Sequence, residues 1–159
     1  MKKWFYLMLL AVLPVMAASL ASCDDDDDLP NVDISLSVDK GTVVDGTIYV
    51  VQGDTLQIAS INIVNNEPNK GAAVTNVNYY WDGIYYAPSV FSPFGMTFVT
   101  SDNTPIGSHD VGISCTVLAV DKSIATAAIN YPVMVVSTAE DIPTADGTKA
   151  IVNTTSLKK

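Results

Sequence analysis

From residue 32 the chain alternates between apolar and polar positions. Val32, Ile34, Leu36 and Val38 are apolar, and Asp33, Ser35, Ser37 and Asp39 are polar. That is the period-two signature of a strand with one buried face. Lys40-Gly41 turns the chain, residues 42–44 are a short extended piece, and Asp45-Gly46 is a strong hairpin signal. Residues 47–51 form another short strand, closed by the Gly53-Asp54 turn. Leu56 and Ile58 share one phase, but Ile61 and Ile63 fall out of it. One extra residue near Ala59-Ser60, a β-bulge, returns all four to the same face. Residues 65–72 are loop chemistry throughout. On 74–82, Val77, Tyr79 and Trp81 take one face and Asn76, Asn78 and Tyr80 the other. Residues 83–93 are irregular, after which Met96 and Phe98 resume the alternation. A Pro-containing loop at 101–106 leads into residues 107–120, the clearest strand, where His109, Val111, Ile113, Cys115, Val117 and Ala119 share one parity. A turn at 121–123 and a last strand at 124–136 follow. Beyond Ser137 the pattern becomes polar and aperiodic, and the tail 137–159 is expected to be loose.

No sustained helical period occurs after residue 23. About seven closely spaced strands over roughly residues 32–136 predict an all-β fold, an antiparallel β-sandwich with Greek-key connections. A small closed barrel is the alternative.

The N-terminus follows another logic. Lys2 and Lys3 precede an apolar run over residues 4–18, interrupted only at Pro14, and small residues then lead to Cys23. That order is a secretory signal peptide, and Pro14 with the small residues argues against a transmembrane anchor. Leu20-Ala21-Ser22-Cys23 matches the lipobox of bacterial lipoproteins. The resemblance implies removal of residues 1–22, lipidation of Cys23 and a membrane partner reached through that lipid. Two or three acyl chains suffice for stable anchoring. Asp24, Asp25, Asp26, Asp27 and Asp28 come next. Five like charges stay extended and hydrated, so residues 23–31 read as an acidic tether. Surface lipoproteins of the Bacteroidota type carry a similar acidic run, where it signals transfer to the outer face of the outer membrane. The resemblance implies the same localisation here, whereas one Asp directly after the cysteine signals inner-membrane retention in enteric bacteria. With Cys23 lipidated, Cys115 is the remaining thiol, and the core must hold the fold without an internal disulfide.

Within the folded region, Tyr79-Tyr80-Trp81-Asp82-Gly83 and, later, Pro105-Ile106-Gly107-Ser108-His109-Asp110-Val111 with its long hairpin resemble immunoglobulin-like domains of the PKD and bacterial Ig-like type. The resemblance spans roughly residues 32–136. It implies that Trp81 packs between the sheets on a central strand. The family's corner tyrosine is replaced here by His109, and the longer glycine and aspartate loop after the Trp is missing. The fold so implied carries many unrelated functions.

Composition narrows those functions by exclusion. The formal net charge is -9, and every basic residue is Lys. So acidic a chain repels nucleic acid and anionic glycans. It has one His, so a triad must use His109. Cys115, six residues along the same strand, would lie about 20 Å away. No nucleophile motif, phosphate loop or zinc-ligand cluster is present, which predicts no catalytic residues, no cofactor and no metal site. Asp39, Asp45, Asp54, Asp82, Asp102, Asp110 and Asp121 stand near turns without calcium-loop spacing.

Aromatic residues are distributed unevenly. Tyr79, Tyr80, Trp81, Tyr85, Tyr86, Phe91, Phe94 and Phe98 crowd into one stretch. Core filling accounts for Tyr79, Trp81 and Phe98. Tyr80, Tyr85 and Tyr86, with Asp82, are the candidate ligand-binding residues: a flat Tyr pair would stack a neutral sugar whose hydroxyls donate to Asp82. The competing expectation is that these tyrosines fold back over a sheet edge. The sequence thus predicts a non-enzymatic, surface-anchored binding or adhesion module with a glycan or surface protein as partner. The alternative is a structural subunit of an outer-membrane complex.

Overall fold

The structure, a computed structural model, describes residues 31–65, 71–119, 124–144 and 147–156. The signal segment, Cys23 and the acidic run Asp24 to Asp28 lie outside the described residues, as do Asp121 and its turn. Ten strands are present among those described: β1 (Asn31–Lys40), β2 (Thr42–Val44), β3 (Thr47–Val51), β4 (Thr55–Asn65), β5 (Ala72–Trp81), β6 (Ile84–Ser89), β7 (Met96–Val99), β8 (Gly107–Ala119), β9 (Ile124–Val136) and β10 (Ala150–Ser156). They form one sheet in the order β10-β1-β4-β7 and a second in the order β2-β3-β9-β8-β5-β6. The two sheets stack without closing into a barrel. Consecutive strands switch sheets six times, at β1–β2, β3–β4, β4–β5, β6–β7, β7–β8 and β9–β10, an immunoglobulin-like arrangement. The pairing is antiparallel except where β3 runs parallel to β9.

The predicted alternation places the core. Val32, Ile34 and Leu36 of β1 are fully buried and share one core with Val111, Ile113, Cys115 and Val117 of β8 in the other sheet. The bulge forms where the phase slips: Ser37 pairs with Ser60 but Val38 with Ile58, leaving Ala59 unmatched. Leu56, Ile58 and Ile61 are all buried as a result. Gly95 packs beneath this bulge so closely that a Cβ there would lie 2.8 Å from the Ile58 carbonyl oxygen and 2.9 Å from that of Ala59. Only glycine allows that approach. Both Asp-Gly pairs make two-residue hairpin turns, with φ of 48° and 76° at Asp45-Gly46 and 50° and 74° at Asp82-Gly83. Positive φ at both residues is the type I′ geometry that matches strand twist.

Two expectations are corrected. The count is ten strands rather than about seven, partly because residues 84–89, expected to be irregular, form edge strand β6. None of its side chains is buried, so no apolar-in, polar-out alternation marks it. Pro88 is tolerated because an edge strand need not complete a second ladder. The tail after Ser137 is not uniformly loose: it holds a 3-10 turn at Ala139–Asp141 and then β10, which pairs with β1 from Asn31 to Ser37. β10 contributes the half-buried Ile151 to the core and leaves Val152 exposed. Main-chain bonds, which leave no side-chain pattern, hold the rest.

Candidate binding site

β1 and β4 fix the orientation of the sandwich. Asn31 lies opposite Ser156, and Val32 opposite Asn65, at one pole. β4 begins and β5 ends at the other pole, where the Asp54, Asp82 and Asp102 turns gather. The candidate site occupies this second pole, on the side where edge strands β6 and β7 of the two sheets lie next to each other.

The turn Asp82-Gly83 starts the site. The Asp82 amide donates to the Asp110 carbonyl (3.0 Å), and its Oδ1 accepts from the Asp110 amide (3.0 Å). Its Oδ2 lies 2.7 Å from His109 Nδ1. His109 Nε2 is 2.7 Å from the Pro105 carbonyl oxygen, four residues upstream. His109 therefore ties down the corner that leads into β8. Its ring also lies over Trp81, centroids 5.3 Å apart. Burial disfavours the imidazolium, but the hydrogen bonds to the Asp82 carboxylate and the Pro105 carbonyl outweigh it and raise the pKa above the ordinary histidine value.

Asp82 is thus bound into the corner, with one hydrogen bond on each carboxylate oxygen. The flat tyrosine pair is absent. Tyr79 pairs with Ala87 and Tyr80 with Tyr85, so Tyr86 is the extra residue of a bulge. Tyr85 meets Tyr80 edge-on, at 5.7 Å and 75°. Tyr86 instead lies against Phe98 of β7, centroids 4.6 Å apart. The structure brings Tyr80 to Tyr85 and Asp82 to His109, and turns Tyr86 to the opposite sheet edge.

Between the two edges lies a cavity of about 280 Å³. Trp81, Tyr85, Tyr86 and Phe98 line it together with Val99 and Thr104. Trp81, expected to pack in the core, is half-buried against it and also lines the cavity. Sequence reasoning missed Ile84, Val99, Thr100 and Thr104, which the stacked sheet edges bring in. Both threonine hydroxyls of the wall are already engaged. The Thr100 hydroxyl donates to the Asp54 carbonyl (2.6 Å), and Thr104 Oγ1 accepts from the Ser101 amide (2.9 Å). Apolar exposure continues beyond the cavity: Ile84 is 73% exposed, Phe91 82% and Val99 69%.

Among the described residues no group of three or more His, Cys, Asp or Glu is placed to hold a metal ion. Cys115 is free and buried, and desolvation pushes its thiol up to about 12. A histidine acting as general base would need a nucleophile on the nitrogen opposite its carboxylate. On His109 that nitrogen is occupied by the Pro105 carbonyl.

No known family model matches the chain, and no curated protein matches it. Among solved structures it is similar to the fibronectin(III)-like modules of Clostridium thermocellum CbhA, with a TM-score of 0.42 and 11% identity. The match covers 67% of this chain and 47% of that one, about half its length.

Proposed function

We propose that the chain is a non-enzymatic lipoprotein, anchored through Cys23 to the outer membrane and exposed on the cell surface, which acts as a ligand-binding or adhesion module. The observation that carries the binding reading is the aromatic cavity between β6 and β7, at the pole opposite Asn31. A tether leaving at Asn31 directs that cavity away from the lipid. The glycan form of the reading rests on Tyr85 and Tyr86, since Asp82 is engaged at the corner. The occupied Nε2 of His109 supports a non-catalytic role. The exposed Phe91 favours a second reading, an accessory subunit that packs against another protein.

A glycan array probed with the full chain tests the first reading. Val99→Trp, at an exposed edge position, fills the cavity without touching the core. Glycan binding by the unmodified chain should disappear in this variant and in the Tyr85→Ala/Tyr86→Ala double variant. Binding at full strength in both puts the site elsewhere, and an array that is blank for the unmodified chain leaves the accessory-subunit reading. Hydrolase turnover abolished by His109→Ala would overturn the non-enzymatic assignment.

A further inference from the structure

The cavity wall is rich in ring faces. Trp81, Tyr85, Tyr86 and Phe98 line it, while the Thr100 and Thr104 oxygens are bonded within the protein. A polyol entering such a site has the tyrosine hydroxyls and the indole edge as polar partners in place of the water it gives up. An aromatic face offers something different, a negative quadrupole that attracts a cation. The surrounding charge has the same preference. Asp102 sits in the loop between Thr100 and Thr104, and Asp54 holds Thr100 through its carbonyl; both are exposed. Among the described residues the lysines are Lys40, at the end of β1, and Lys149, just before β10, both at least two strands from β7. His109 lies against Trp81, and its charge is met by Asp82 at 2.7 Å. At about 280 Å³ the cavity falls just below the usual range for ligand pockets, about 300–1,000 Å³. It therefore suits a small occupant.

We propose that this cavity binds a small organic cation with an apolar body, of the quaternary alkylammonium type. The proposal rests on the binding reading above and narrows it. Ring faces stabilise the cation's methyl-clad charge, which sheds its hydration at low cost, and the acidic rim raises its local concentration. A hydrated metal ion lacks that advantage, because the walls supply too few oxygens to replace its water.

The test is calorimetric titration of the full chain, in a polyoxyethylene detergent, with choline and with 3,3-dimethyl-1-butanol. The two have the same shape and differ only in charge. Choline should bind at least tenfold more tightly, and the preference should shrink as salt rises. Tyr86→Leu keeps apolar volume but removes a ring face, so it should weaken choline at least tenfold and leave the alcohol unchanged. Asp102→Asn, exposed and outside the core, should weaken choline two- to threefold without altering the thermal melt. Equal affinity for the two probes overturns the cation and leaves the binding-site reading intact. Binding of neither also overturns the cation, and the site reading is then judged by the Val99→Trp array result alone.

Discussion

Raising the pH should loosen the corner built on His109. Both ring nitrogens lie 2.7 Å from oxygens that can only accept, those of an ionised Asp82 carboxylate and of the Pro105 carbonyl. A neutral imidazole has one N–H, so satisfying both contacts requires the imidazolium. Its pKa is accordingly raised above the unfolded value of about 6.5. The corner's contribution is fully present below pH about 6.5 and is lost as pH rises through the folded pKa. The magnitude follows from the contacts. A charge-assisted bond contributes about 1.5–3 kcal/mol when buried. The His109 side chain is 8% exposed but that of Asp82 is 40% exposed; solvent screening places the pair near the lower end, so the two contacts together are worth about 2 kcal/mol. For a domain of this size that is about 6–12 °C in Tm. His109→Phe retains the ring against Trp81 and removes both bonds. Thermal unfolding of wild type and variant at pH 5 and pH 8.5, with an NMR titration of the imidazole, measures the effect. Wild type should exceed the variant by that margin at pH 5, with the gap narrowing at pH 8.5. A folded pKa at or below about 6.5, or a gap independent of pH, would refute the double-donor assignment.

Three further outcomes are expected. Cys23→Ala should release the protein from the membrane fraction, and unchanged partitioning would remove the basis for lipidation. Gly95→Ala should cost about 1–3 kcal/mol in denaturant unfolding, because its Cβ would press on the Ile58 and Ala59 carbonyls; an unchanged midpoint would mean the bulge yields freely. Cys115 should resist alkylation at pH 8 in the folded protein and react promptly in urea, whereas fast native labelling would contradict its burial.

The sequence made the interior legible because β1, β4, β5 and β8 each bury one face, and burial of one face imposes a two-residue period on side-chain type. Even the irregularity at Ala59 could be read, since a slip in that period has one simple geometric remedy. Strands β6 and β10 were hidden for the complementary reason. Both sit at sheet edges and are held by backbone bonds, which any residue but proline can make. The candidate site was legible in composition but not in geometry. The aromatic stretch does border the cavity, yet a one-residue bulge parts Tyr86 from the expected Tyr85 platform. Asp82 meets a partner that lies far along the chain, in β8. Val99 and Thr104 join the site through the stacking of two sheet edges, which no local pattern encodes.

The position of β1 between β10 and β4 has a mechanical consequence. A pull applied at Asn31 and resisted by a ligand at the far pole runs along the strand axis. Antiparallel ladder bonds stand perpendicular to that axis, so both flanking ladders are loaded in shear, and their bonds must yield together rather than open one at a time. β10 doubles the number of ladders that share this load. β10 thus braces β1 against extraction, and the same arrangement leaves the β6–β7 side, which carries no such brace, free to adjust around an occupant.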